Sequence, residues 1–183
     1  MRPYRPHVSQ GHDASHGDDA AQSRASSLAA LMIYNALKLA HVLSIIVWIG
    51  GMVFTHFFLR PAAQALEPPQ RVRLLHGVLQ RFLGTVAIAI VVVLTSGLGM
   101  IGVVSMGSGG AFAMPLRWTI MATLGIVMMA IFAYIYFAPL DRLEQAVAAS
   151  DWSAGSQALA RIRTWVALNL LIGVVIVAQT LLI

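Results

Sequence analysis

Four long stretches without a charged residue constrain what this chain can fold into. No Asp, Glu, Lys or Arg occurs between Lys38 and Arg60, between Arg81 and Arg117, between Arg117 and Asp141, or after Arg163, and these stretches are 21, 35, 23 and 20 residues long. An α-helix rises about 1.5 Å per residue, so roughly 20 apolar residues cross a bilayer hydrocarbon core. Backbone polar groups in lipid must be paired within the segment. The sequence therefore predicts an all-α fold, an integral membrane four-helix bundle.

The composition agrees with a protein whose main partner is the lipid bilayer. Hydrophobic residues make up 58% of the chain and charged residues 10%, whereas an average soluble domain carries about 25% charged residues. The net charge of +5 comes from arginines that flank the spans, so it indicates membrane topology and gives no reason to expect a nucleic-acid partner. Because the chain has no cysteine, disulfides and thiolate metal sites are excluded.

The first 30 residues differ from the rest of the chain. Residues 1–30 are polar, are rich in Ala, Ser, Asp and His, and have no apolar period, so we expect a disordered tail followed by a four-span domain over residues 31–183. The tail lacks the h-region and cleavage site of a secretory signal. It contains His7, His12 and His16 near three aspartates, a composition that binds Cu(II), Ni(II) or Zn(II) weakly, although a solvated tail is the simpler interpretation.

The spans are predicted at residues 33–59, 82–104, 116–137 and 164–183. The second helix has an amphipathic stretch in front of it, RVRLLHGVLQRF, which favours a start near Pro69. Between the third and fourth spans, LDRLEQAVAAS and SAGSQALARIR each have a helical period, so we expect a short cytoplasmic helical hairpin there.

The distribution of positive residues predicts the orientation in the membrane. The loops after the first and third spans hold Arg60, Arg71, Arg73, Arg81, Arg142, Arg161 and Arg163, whereas the other side holds Arg2, Arg5, Arg24, Lys38 and Arg117. The positive-inside rule puts the first set in the cytoplasm. In a bacterial inner membrane both termini would then be periplasmic.

Three histidines, His41, His56 and His76, lie in or near the predicted spans. Ionisable residues are costly in lipid and usually face the bundle interior. At 100° per residue, Trp48 and Met52 fall within about 20° of His41 on the first helix. His41 and His56 are 15 residues apart, about 22 Å along the axis, so they cannot share one metal ion. His56 and His76 lie on the same side of the membrane and are candidates for a common site.

His41 lies toward the outer side, where Met100 and Met114 also occur. Imidazole and thioether ligands suit copper, especially Cu(I), and they also suit a haem iron. We therefore take His41, Met52, Met100 and Met114 as candidate metal ligands, and His41, His56 and His76 as candidate haem ligands. Helix capping by His and ordinary packing by Met remain the alternative interpretation. No catalytic constellation is present in the sequence: it has no Walker loop and no acidic residue inside a span.

Several segments together resemble the copper resistance protein D (CopD) family. On the first helix these are Lys38, His41, the sequence WIGGM from Trp48 to Met52, and Arg60–Pro61 at the end of the helix. On the second helix they are Arg81–Phe82 at its start and Ser96, Gly97 and Gly99 near its end. The later segments are AFAMPLRW, FAPLDRL and RIRTWVALNLLIG. The resemblance covers roughly residues 35–183 and is to the short four-helix members.

This resemblance implies a copper-related role in the inner membrane: uptake, transfer or tolerance. Four helices form a narrow bundle, so a transport path would require a homo-oligomer, and a periplasmic metal carrier is a possible partner. The first helix is also distantly similar to HemJ-type protoporphyrinogen oxidases, which are haem b proteins. That similarity implies the alternative of a redox protein that passes electrons to a quinone or a porphyrinogen.

Overall fold

The computed structural model describes residues 12–109 and 111–182, with side chains described from residue 21 onward. The elements are α1 (His12–Phe54), a π-helix (Thr55–Leu59), α2 (Arg60–Ala63), α3 (Pro68–Gly107), α4 (Leu116–Phe137), α5 (Pro139–Ala148) and α6 (Trp152–Leu182). The described residues contain no strand. Four helical segments are long and apolar enough to cross a membrane: Ala21–Ala63, Pro68–Gly107, Leu116–Ala148 and Trp152–Leu182. The predicted all-α membrane bundle is therefore confirmed.

Helix boundaries agree with the predicted spans at α4 and extend beyond them elsewhere. α3 begins at Pro68, so it includes the amphipathic stretch in front of the second span, and the two arms of the expected hairpin are α5 and the first turns of α6. α1 begins at His12 and so continues into the segment predicted to be a disordered tail, where residues 21–30 are exposed. Residues 1–11 lie outside the described residues, and the division into tail and domain stays a prediction.

Small residues on α3 allow close contact with α1. A Cβ atom added to Gly99 would lie 2.9 Å from Leu37 Cδ1, and one added to Gly51 of α1 would overlap the ring of Phe82 on α3. These two contacts show that α1 and α3 run antiparallel along most of the bundle. Gly97 and Gly99 lie where a close neighbour on α1 leaves little room for a side chain, whereas Gly84 has no neighbour within 4 Å of an added Cβ.

One end of the bundle continues into a compact cap formed by α5, the start of α3 and the start of α6. We call it the arginine-rich end, since it holds Arg60, Arg71, Arg73, Arg142, Arg161 and Arg163. α5 buries Leu140, Leu143 and Ala146, and Val72 of α3 packs against Gly155 of α6. The apolar stripe of α5 therefore explains why the hairpin folds back onto the bundle.

The outer faces of the long helices carry exposed apolar side chains, such as Ile88 (69%), Ile126 (64%) and Leu171 (60%). Such faces suit contact with lipid. Polar groups inside the bundle are few: Ser96 and Asn169 are the buried polar residues in the described part of the chain. Gln179 Nε2 donates to the carbonyl oxygen of Arg117 at 3.2 Å, an interhelical hydrogen bond that joins α6 to α4.

Candidate functional site

His41 of α1 points between α1 and α3, where it is half-buried. Its Nδ1 lies 3.0 Å from the carbonyl oxygen of Val93 and 3.0 Å from Oγ of Ser96, both on α3. Ser96 is 3% exposed, so this end of the imidazole is shielded from solvent. The ring is thus fixed by a neighbouring helix at its Nδ1 side.

The partners of Nδ1 determine which ring nitrogen carries the proton. A carbonyl oxygen can only accept a hydrogen bond, so Nδ1 must donate to Val93. The hydroxyl of Ser96 donates within its own helix, toward the carbonyl oxygens of Val92 and Val93, and its oxygen is therefore available to accept from Nδ1. In the neutral imidazole this assignment leaves a lone pair on Nε2. Metal-ligating histidines in proteins show the same arrangement, with the second nitrogen bonded to a carbonyl or carboxylate.

Gly97 makes room for the imidazole on α3. An added Cβ would lie 3.4 Å from Cε1 and 3.7 Å from Nδ1 of His41. The ring therefore lies against the helix backbone, and any side chain larger than a methyl group would occupy its place.

The candidate methionine ligands lie at different heights along the bundle. Met100 is half-buried and follows Ser96 by one helical turn, so it lies on the same face of α3, about 6 Å further from the arginine-rich end. Met52 is 2% exposed and belongs to the hydrophobic core with Trp48. Met114, in the segment before α4, is 39% exposed. Met100 is therefore the candidate thioether nearest in height to His41.

The structure assigns different surroundings to His56 and His76. His56, in the π-helix, lines a cleft with Arg60 and Arg163. His76 does not line this cleft, and its Nε2 is buried without a hydrogen-bond partner in the described residues. The shared site for this pair remains a prediction.

In the described part of the chain, no three His, Cys, Asp or Glu side chains come together as a metal-binding group. Methionine thioethers and the residues before 21 are outside this observation. His7 lies outside the described residues, and the side chains of His12 and His16 are not described.

A protein-family model for copper resistance protein D matches residues 76–183, more than half of the chain. The chain belongs to the copper resistance protein D family. Neither the curated proteins nor the solved structures compared with it gave a match. Together with its four apolar helices, the match makes this a multi-pass membrane protein related to copper resistance.

The match to the CopD family covers only one side of the His41 environment. It includes Val93, Ser96 and Gly97 on α3 and Met100 and Met114, but it begins after α1, which carries His41 and Met52. The sequence singles out Ser96 and Gly97 only through the resemblance to the CopD family. Their small size was the available signal, and it could not show that they face an imidazole.

Proposed function

We propose that this protein binds Cu(I) inside the bacterial inner membrane and transfers it across or along the bilayer, with the His41 Nε2 lone pair as the central ligand. The observation that supports the proposal is the hydrogen bonding of His41: Nδ1 donates to Val93 and Ser96, which orients Nε2 as a ligand. Copper is the transported ion in this proposal, and the choice of copper rests on the match to the copper resistance protein D family.

The depth of His41 suits an entry site. His41 precedes Arg60 by 19 residues, about 28 Å along a helix, so it lies near the face opposite the arginine-rich end. Met100 lies nearby in height and Met114 lies exposed at the same face. A soft cation that enters at that face would contact Met114 first and then Met100 and His41. Met52 would be a further ligand deeper in the bundle.

The orientation in the membrane follows from the positive-inside rule. The arginine-rich end faces the cytoplasm in this proposal, so both termini and Met114 face the periplasm. A periplasmic metal carrier is then the expected copper donor, and a second copy of the chain would complete a transport path. Fusions of alkaline phosphatase test the orientation: a fusion after Ile183 should be active, and one within the α5–α6 hairpin should be inactive.

Metal analysis of the purified protein tests the function. We expect Cu(I) added under anaerobic conditions to load near one equivalent, and His41→Ala to weaken Cu(I) binding at least about tenfold. Ser44→Ala is the matched control, because Ser44 lies on the same helix and its hydroxyl bonds only its own turn, to Ala40. Equal and negligible loading in the wild type and in His41→Ala would overturn the copper proposal.

The same samples separate copper binding from haem binding. A lone pair on Nε2 also suits a haem iron, so the absorption spectrum is measured after expression with ample haem. A Soret band that His41→Ala removes or shifts would favour the haem b redox alternative, with electrons passing to a quinone or a porphyrinogen. Copper loading without a Soret band would support the present proposal.

A further inference from the structure

A small cleft with an almost wholly apolar surface lies at the arginine-rich end, about 22 Å along the first helix from His41. The polar residues around it are Thr55 and His56 of the π-helix, Arg60 of α2 and Arg163 of α6. The remaining wall is apolar and consists of Leu75, Leu79, Leu159, Ile162 and Val166. The positively charged side chains of Arg60 and Arg163 therefore adjoin an apolar wall.

The arginines of this cleft have an excess of positive charge. Arg60 Nη1 is buried and has no hydrogen-bond partner among the described residues. Burial desolvates Arg60, and the positive charges of Arg163 and Arg71 repel it. A buried donor without a partner is destabilising because its desolvation is not compensated, and more so when it is charged, so a ligand that supplies oxygen atoms would stabilise it.

The π-helix explains how Arg60 comes to face this cleft. Pro61 has no backbone N–H to donate, so the regular α-helical ladder is interrupted at this point. The N–H of Arg60 instead bonds the carbonyl oxygen of Thr55, five residues earlier. Such π-helical turns insert one residue into a helix and occur frequently at functional sites. Here the inserted residue turns His56 and Arg60 toward α6.

We propose that this cleft binds a phosphate-type anion, with the guanidinium groups of Arg60 and Arg163 as the direct ligands. Guanidinium groups form paired hydrogen bonds with phosphate oxygens, and two of them from different helices suit one phosphate group better than a neutral ligand. The apolar wall favours the phosphate of an anionic lipid over free phosphate, because acyl chains can lie along it. The proposal is independent of the copper function.

Binding of phosphatidylglycerol to the full chain tests the proposal. Delipidated protein in a neutral detergent is titrated with phosphatidylglycerol, with zwitterionic phosphatidylcholine and with inorganic phosphate. We expect saturable binding of phosphatidylglycerol, and Arg60→Gln and Arg163→Gln should each weaken it about tenfold or more. Arg142→Gln removes the same charge from the same end of the molecule, but Arg142 lines a different groove, between α5 and α6. It should leave the affinity unchanged.

The other outcomes are equally decisive. Saturable binding of inorganic phosphate with the same dependence on Arg60 and Arg163 supports the site and identifies a soluble ligand as its source. Equal affinity for phosphatidylcholine, or a loss in Arg142→Gln as large as in Arg60→Gln, would overturn the proposal, since the attraction would then be general. Arg163→Lys keeps the positive charge but loses the paired guanidinium donors. It should fold normally and bind phosphatidylglycerol at least as tightly as Arg163→Gln does. His41→Ala should bind phosphatidylglycerol normally, so failure of the copper function does not affect this result.

Discussion

Gly97 lies directly against the imidazole of His41, with 3.4 Å between the position of an added Cβ and His41 Cε1. This distance is ordinary van der Waals contact for a methyl group. The absence of a larger side chain lets the ring approach α3 closely enough for Nδ1 to reach Val93 and Ser96. The size of residue 97 therefore controls how His41 is held.

Substitution of Gly97 should affect ligand binding in proportion to side-chain size. Gly97→Ala should keep Cu(I) affinity close to the wild-type value, because the added methyl fits. Gly97→Leu should displace the imidazole and lower the affinity at least about tenfold, since the Nδ1 hydrogen bonds that orient the ring are lost. Equilibrium competition with a Cu(I) chelator measures both. Wild-type affinity in Gly97→Leu would contradict the role assigned to this contact.

Ser96→Ala should have a smaller effect than loss of His41 itself. The substitution removes one of the two acceptors of Nδ1, while the carbonyl of Val93 still fixes the tautomer. We expect Cu(I) affinity to fall by up to about tenfold. Thr95→Ala is the matched control, because Thr95 is exposed and its hydroxyl bonds only carbonyls of its own helix. Equal losses in the two variants would mean that Ser96 acts through helix stability alone.

Gly155→Ala should destabilise the cap at the arginine-rich end. The added Cβ would lie 2.8 Å from Cγ1 of Val72, and Val72 is 0% exposed. A β-branched side chain in a helix has one strongly preferred rotamer, so Val72 cannot turn away cheaply. We expect a loss of about 1–3 kcal/mol, seen as a lower melting temperature in detergent. Gly84→Ala, which meets nothing within 4 Å, should not melt lower than the wild type.

The architecture could be predicted from the sequence because the length of an uncharged apolar stretch determines whether it can cross the bilayer as a helix. The span predicted over residues 116–137 matches α4, and the helical period of LDRLEQAVAAS correctly predicts the hairpin helix α5. The π-helix at Thr55–Leu59 was not foreseen. Its cause is Pro61, which the sequence indicates only as part of the helix exit. A sequence does not show how the backbone hydrogen bonds in front of a proline are rearranged.

The candidate site was only partly accessible to sequence reasoning. His41 stands out because an imidazole in a span is costly, and the helical period places Trp48 and Met52 on its face. Its partners, Val93 and Ser96, lie 52 and 55 residues away in the chain. Such long-range pairs depend on how α1 and α3 are aligned, which the apolar pattern of either helix does not specify. That Arg60 and Arg163 line one cleft could not be predicted for the same reason: the sequence indicates topology for both and, for Arg60, the exit of the first helix.

Ser150, between α5 and α6, should be a site of stabilising substitution. It has a φ of 55°, the left-handed region that disfavours side chains. Its N–H bonds the carbonyl of Val147 and the N–H of Asp151 bonds that of Ala146, which is the Schellman pattern that usually has glycine at this position. Ser150→Gly should therefore raise stability by up to about 1 kcal/mol, even though glycine loses more entropy on folding. Ser150→Val should lower it, because a β-branched residue is strained at positive φ. Melting temperatures of the two variants in the same detergent measure the difference. A Ser150→Val protein that melts at or above Ser150→Gly would show that the turn between α5 and α6 does not hold this conformation.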